Sequence, residues 1–268
     1  MTYSAMLVCF VPLLIAFRVK YNSHPWLGRL FLLLIPIFLV AVFFSYARGA
    51  WLALAAGGAA WFLIRHKLLV TGFVISVIIG TTALFWLKQN DRYLQYAHDF
   101  KTTIFHKNFN EHLIATYRLK DVSTAERFYR WIAGVRMIKD NPVIGFGPGS
   151  FYPNYKEYTV PAFKTWVSNN KDHSTVHNYF LLLAVEQGLP GLFFFLLLTG
   201  AMLFFAQRIY HSSSAPFHKA IGMLTGVILV MILVVNFLSD LIETDKTGSL
   251  FFCAFPPDNC ISQFKKRL

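Results

Sequence analysis

Three stretches of this 268-residue sequence hold side chains able to act on a charged, oxygen-rich substrate. In "SYARGAW", Arg48 stands at the end of an apolar run. In "ERFYRWIAGVRMIKD", Arg127 and Arg130 lie three residues apart, with Trp131 four after Arg127 and Arg136 further along. A guanidinium is planar, forked and permanently charged, so it suits phosphate oxygens. In "STVHNYFLLLAVEQGLPG", His177 and Asn178 stand where a polar stretch meets a long apolar one. An imidazole titrates near neutrality and can take a proton from a hydroxyl. Between these, "NPVIGFGPGSF" contains Gly145 and Gly147, whose backbone N–H groups can form an anion-binding nest.

Each feature also has a plainer reading. Arg48 can be an interfacial arginine whose head snorkels to water, although its isolation makes it a candidate for function. The arginines near residue 130 can form a solvated helix face. The glycines can simply make a turn: the stretch is not a P-loop, and no strand precedes it as in a dinucleotide loop. His177 can cap a helix. His173, one helical turn earlier, invites a metal reading, but there is no HExxH pattern and no third ligand is evident. No metal or other cofactor is expected.

The elements that must position these residues are set by composition. Hydrophobic residues make up 56% of the chain and charged ones only 14%, against about a quarter charged in soluble domains. Mean hydropathy is +0.48. This excludes a single soluble core and indicates an integral membrane protein. The net charge of +12 then reads as topology rather than nucleic-acid binding, for which no motif is present. Cys9, Cys253 and Cys260 show neither a CxxC pair nor metal spacing. Met1 leads almost directly into an apolar stretch without a basic n-region, so no cleavable signal peptide is expected.

A spanning helix needs about 20 mostly apolar residues. The candidates are 3–17, 28–46, 50–64, 68–87, 178–206 and 219–239, with a weak seventh at 247–256. The third is rich in Ala and Gly, which lets helices approach closely. Basic residues cluster between the first and second segments (Arg18, Lys20, Arg29), the third and fourth (Arg65, His66, Lys67), the fifth and sixth (Arg208, Lys219) and at the end (Lys265, Lys266, Arg267). One orientation satisfies all four: these clusters are cytoplasmic, and 45–49, 88–176 and 240–246 face the other side. It puts the N-terminus outside, which suggests further helices upstream.

The chain therefore reads as about four spanning helices in 1–87, a polar loop over 88–176, and two to three further spans with a cytoplasmic tail in 177–268. Within the loop the spacing predicts a helix over 123–140, with Ser123 or Thr124 as N-cap and Glu126 in its first turn. Asn141-Pro142 ends it.

"SYARGAW", the arginine four before a tryptophan, Pro-x-x-Gly-x-Gly, His-Asn and Glu-x-Gly-Leu-Pro-Gly occur in an order that resembles the O-antigen ligase / O-antigen polymerase superfamily, over about residues 40–200. The resemblance implies an all-α, polytopic, GT-C-like bundle with one large, partly helical periplasmic loop. It also implies a metal-independent glycosyltransferase of the bacterial inner membrane. Such enzymes take a glycan from undecaprenyl diphosphate and join it to an acceptor hydroxyl, on lipid A–core for the ligases. Carried over by motif, His177, Arg48 and Arg127 are the expected catalytic residues. Arg130, Trp131, Gly145, Gly147, Asn178 and Glu186 are expected to contact or support substrate. The polymerases and protein O-oligosaccharyltransferases share the pattern. A non-catalytic membrane protein or transporter is the alternative from another class, and would be supported by charges inside several helices. Family members have about twelve spans, so this chain resembles their C-terminal part.

Overall fold

The computed structural model describes residues 2–88, 122–160, 164, 168, 175–243 and 245–253. His173, Cys260 and the end of the weak seventh segment lie outside the described residues. Among those residues all regular structure is helical: α1 Thr2–Lys20, α2 Pro25–Phe44, α3 Arg48–Arg65, α4 Leu69–Lys88, α5 Val122–Asp140, a short α6 Phe151–Asn154 running into a 3-10 turn Tyr155–Tyr158, α7 Tyr179–Glu186, α8 Gly188–Ser212, α9 Pro216–Phe237, a 3-10 turn Leu241–Glu243, and α10 Asp245–Cys253. Pro25 and Pro216 open α2 and α9, where a missing N–H costs nothing and the fixed φ suits the first turn. Tyr3–Lys20, Pro25–Phe44, Gly188–Ser212 and Pro216–Phe237 are long and apolar enough to cross a membrane. The protein is thus an all-α polytopic membrane protein. The described α10 has 9 residues, about 14 Å of helix.

The chain divides into two compact units, Met1–Val74 with Phe195–Leu268, and Ile75–Phe194. In the first, α9 is the most enclosed helix and packs on α1 and α3. The buried residues of α3 are Ala50, Ala53, Gly57, Ala60 and Ile64. Their alternating three- and four-residue spacing makes one narrow seam of small side chains. Gly57 makes room for Met231 of α9: a Cβ there would lie 2.1 Å from the Met231 methyl. Gly222 of α9 lets α8 approach, since a Cβ would lie 2.8 Å from the Tyr210 nitrogen and 3.0 Å from the Ala206 oxygen. By contrast α2 buries only Val42 and presents Leu33, Ile37, Val40 and Phe44 outward, a surface suited to lipid rather than water.

In the second unit, α5 packs on α7 and on the Tyr155–Tyr158 turn. Tyr129, Ala133 and Met137 from α5 join Phe151, Tyr155, Val176, Leu182 and Val185 in one buried cluster. α5 begins at Val122, so Ser123 and Thr124 are inside the helix rather than capping it.

The span expected over 178–206 is two helices. In a continuous helix the Leu189 N–H would reach Val185 O, and Pro190 has no N–H to offer Glu186 O. Instead Leu189 N donates to Pro142 O (2.8 Å), Phe146 N to Val185 O (2.8 Å) and Gly147 N to Glu186 O (2.9 Å). The 142–147 turn therefore closes the break that Pro190 opens. Two left-handed glycines, Gly145 (φ +73°) and Gly188 (φ +71°), make the fit. A Cβ on Gly145 would lie 2.6 Å from both Glu186 O and Gly188 N, and one on Gly188 would lie 2.2 Å from Val143 O.

Gly222→Ala is expected to lower stability by roughly 1–3 kcal/mol through overpacking, while Gly200→Ala, which meets nothing within 4 Å, should not. Thermal unfolding in detergent compares them, and equal midpoints would refute the close α8–α9 approach. In the turn, Gly149 shares the left-handed φ (+70°) but faces open space, so Gly149→Ala should cost about 1–2 kcal/mol from backbone strain alone. Gly145→Ala should cost more, and should raise hydrogen exchange at Phe146 and Gly147.

Candidate active site

Arg48 is the first residue of α3, inside the helix rather than beyond its end, with Ala47 as N-cap. It is half-buried. No acidic residue lies in that first turn. A cation at a helix N-terminus opposes the macrodipole by about 0.3–1 kcal/mol, so Arg48 is not there for the sake of the helix.

In the second unit α5 carries two arginines with different surroundings. Arg127 is half-buried. Arg130 is only 1% exposed. Its Nε donates to Glu126 Oε2 at 3.3 Å, and its Nη1 donates to Thr175 O at 2.8 Å. The guanidinium lies 5.7 Å over the Tyr155 ring. Glu126 Oε1 accepts from the Ser168 hydroxyl, and Tyr155 OH donates to Ser168 O at 3.0 Å. Arg130, a residue that the motif resemblance places at the substrate, is buried among these acceptors. Burial pushes the Tyr155 phenol above its ordinary value, with Arg130 pulling the other way and Tyr129, Tyr152 and Glu126 adding to the rise. The neutral phenol is thus the form the fold favours. Its contribution is complete below about pH 10, the ordinary tyrosine value, and is lost as pH rises through the elevated one.

His177 sits two residues after the carbonyl that Arg130 holds. It is half-buried, between buried Val176 and Asn178. Its φ is +55°, a left-handed conformation that Tyr46 and Lys67 share and that His adopts more readily than most residues with a side chain. Such a conformation is held by its surroundings. Those surroundings are visible on both sides. Val176 packs over Gly134 of α5, where a Cβ would lie 3.4 Å from a Val176 methyl. Asn178 caps α7, its Oδ1 accepting from Leu181 N at 3.1 Å. Asn178, a residue that the motif resemblance places at the substrate, thus uses its side-chain oxygen to fix the start of α7.

In the glycine turn backbone N–H groups meet carbonyls of the protein. Gly145 N donates to Asn141 O (3.2 Å), Phe146 N to Val185 O and Gly147 N to Glu186 O. The last two bonds join the turn to the end of α7. Glu186 contributes its carbonyl to that junction, and its side chain is half-buried. Trp131 is half-buried, edge-on to Phe128 at 6.0 Å, and packs against the apolar cluster. Among the described residues no three His, Cys, Asp or Glu side chains come together.

Sequence reasoning overlooked Tyr155, Ser168 and Thr175 as supports of the site. The Glu126–Arg130 pair was available from its i, i+4 spacing. Ser168 and Thr175 reach it from 42 and 45 residues away, and nothing local marks them.

A family model described as O-antigen ligase matches residues 30–196, a span that includes Arg48, Arg127 and His177. The O-antigen ligase of Salmonella typhimurium is 28% identical over 189 residues, 66% of this chain and 42% of its own length. The chain therefore spans less than half the length of that relative. Since the family model covers more than half of the 268 residues, the chain belongs to the O-antigen ligase family.

Proposed function

We propose that the chain acts in moving a glycan from undecaprenyl diphosphate to a hydroxyl of lipid A–core, at the periplasmic face of the bacterial inner membrane. The acceptor oxygen attacks the anomeric carbon, the bond from that carbon to the diphosphate breaks, and the hydroxyl proton goes to His177. Arg127 holds the departing diphosphate oxygens, where positive charge and a forked donor count most as the bond breaks, and Arg48, taken from its motif, is a second arginine that transfer requires. Trp131, one turn from Arg127, flanks the same substrate. The periplasmic assignment is supported by the basic residues gathered between the first and second, third and fourth, and fifth and sixth apolar segments.

The observation that carries this reading is the left-handed His177, fixed between an α5 contact and the α7 cap. A histidine serving only as a cap needs no left-handed backbone, and here Asn178 does the capping. A ligase is favoured over a polymerase or a protein oligosaccharyltransferase by the name of the Salmonella relative.

His177→Ala should reduce transfer by about 10²–10⁴-fold, the usual contribution of a general base, with the protein still folded. The readout is polysaccharide on lipid A–core, against polysaccharide retained on the carrier, in cells lacking their own ligase. Transfer at the unaltered rate would remove His177 from the mechanism. Arg127→Lys and Arg48→Lys keep the charge and lose the fork, so each should slow transfer by about 10²-fold. Single repeats on lipid A–core, instead of none, would mark a polymerase.

A further inference from the structure

Among the described residues Glu126 and Arg130 are the charged side chains that are fully buried, at 6% and 1% exposure. Nothing in the proposed chemistry uses them. A buried ion pair is weak evidence for stability, since apolar side chains of similar volume often serve as well or better. Its retention suggests that it holds something in one place.

What it holds can be read from its acceptors. Arg130 joins three elements: Glu126 on its own helix, the Tyr155 ring on the 3-10 turn, and the Thr175 carbonyl. Glu126 and Tyr155 meet again at Ser168, one through the hydroxyl and the other through the carbonyl. The network thus closes on itself and leaves it at Thr175. From there the chain passes through Val176, buried against Gly134, directly into the left-handed His177. On the far side Asn178 fixes the start of α7.

We propose that Glu126, Arg130 and Tyr155 are positioning residues that lock the segment 175–177 and so aim the His177 ring at the acceptor hydroxyl. None of the three touches substrate. The inference rests on the reading of His177 as the base. It differs from that reading in assigning part of the rate to a charge pair within the fold.

The test uses the full chain in proteoliposomes with an undecaprenyl-diphosphate-linked glycan and lipid A–core. The double variant Glu126→Leu with Arg130→Met replaces the pair by apolar side chains and is expected to keep its thermal midpoint. Its kcat should fall by about 10- to 100-fold, as small displacements of a catalytic group do, with KM for the donor within about twofold. Amide exchange at Val176, His177 and Asn178 should rise. A folded double variant with unaltered kcat would overturn the proposal. Tyr155→Phe removes only the hydroxyl that holds Ser168, so it stands if the double variant fails to fold. It should lower kcat in the same direction, and an unaltered kcat would again overturn the proposal. His177→Ala, measured alongside, separates the two claims. An active His177→Ala sinks the base assignment, whereas an inactive one beside a fully active, folded double variant sinks only the positioning role.

Discussion

Removing a guanidinium from water costs several kcal/mol unless each of its faces meets an acceptor or a ring. In residues 75–194 that condition falls on Arg130, and much of the local chain path follows from it. The acceptors are a carboxylate one turn away and a carbonyl 45 residues on. An aromatic ring covers the plane. Meeting these demands draws the 3-10 turn, Ser168 and Thr175 onto α5. The half-buried Arg127, three residues earlier on the same helix, carries no such burial. One helix therefore supplies a structural cation and a candidate reactive one. The difference between them is solvent exposure, not side-chain type.

The membrane-spanning character and most of the helices were legible from the sequence, because a bilayer demands long apolar runs and the chain supplies them. The small-residue seam of α3 was legible for the same reason: Ala50, Ala53, Gly57 and Ala60 announce close packing by their size. The break at Gly188 was not foreseen, because the apolar run resumes directly after the short Glu186-Gln187-Gly188 interruption. Its cause lies partly in Pro190, which is local, and partly in the 142–147 turn, which is not. The site was legible in its residue types but not in their roles. Arg130 meets Glu126 and Thr175, and the Asn178 oxygen caps α7, contacts that residue type alone does not announce. Only burial and partner identity separate a ligand from a support.

The two kinds of polar residue also separate by the work the backbone does around them. The N–H groups of Gly145, Phe146 and Gly147 answer carbonyls of α7 and of Asn141. In a chain that enters a bilayer, an unanswered carbonyl is costly, and a helix interrupted by proline creates one. The glycine turn meets that need before it can serve any ligand. The proposed chemistry is left to side chains, foremost the imidazole of His177 in its left-handed backbone conformation.

The reciprocal seat of Gly145 and Gly188 has an evolutionary corollary. Each glycine faces peptide atoms of the segment that contains the other, not a side chain that could be trimmed to make space. A methyl on one cannot be accommodated by shrinking its neighbour, because a carbonyl has no smaller substitute. No compensating pair of single replacements exists, so descent with modification should leave both positions as glycine, or remodel the turn and the helix break in one event.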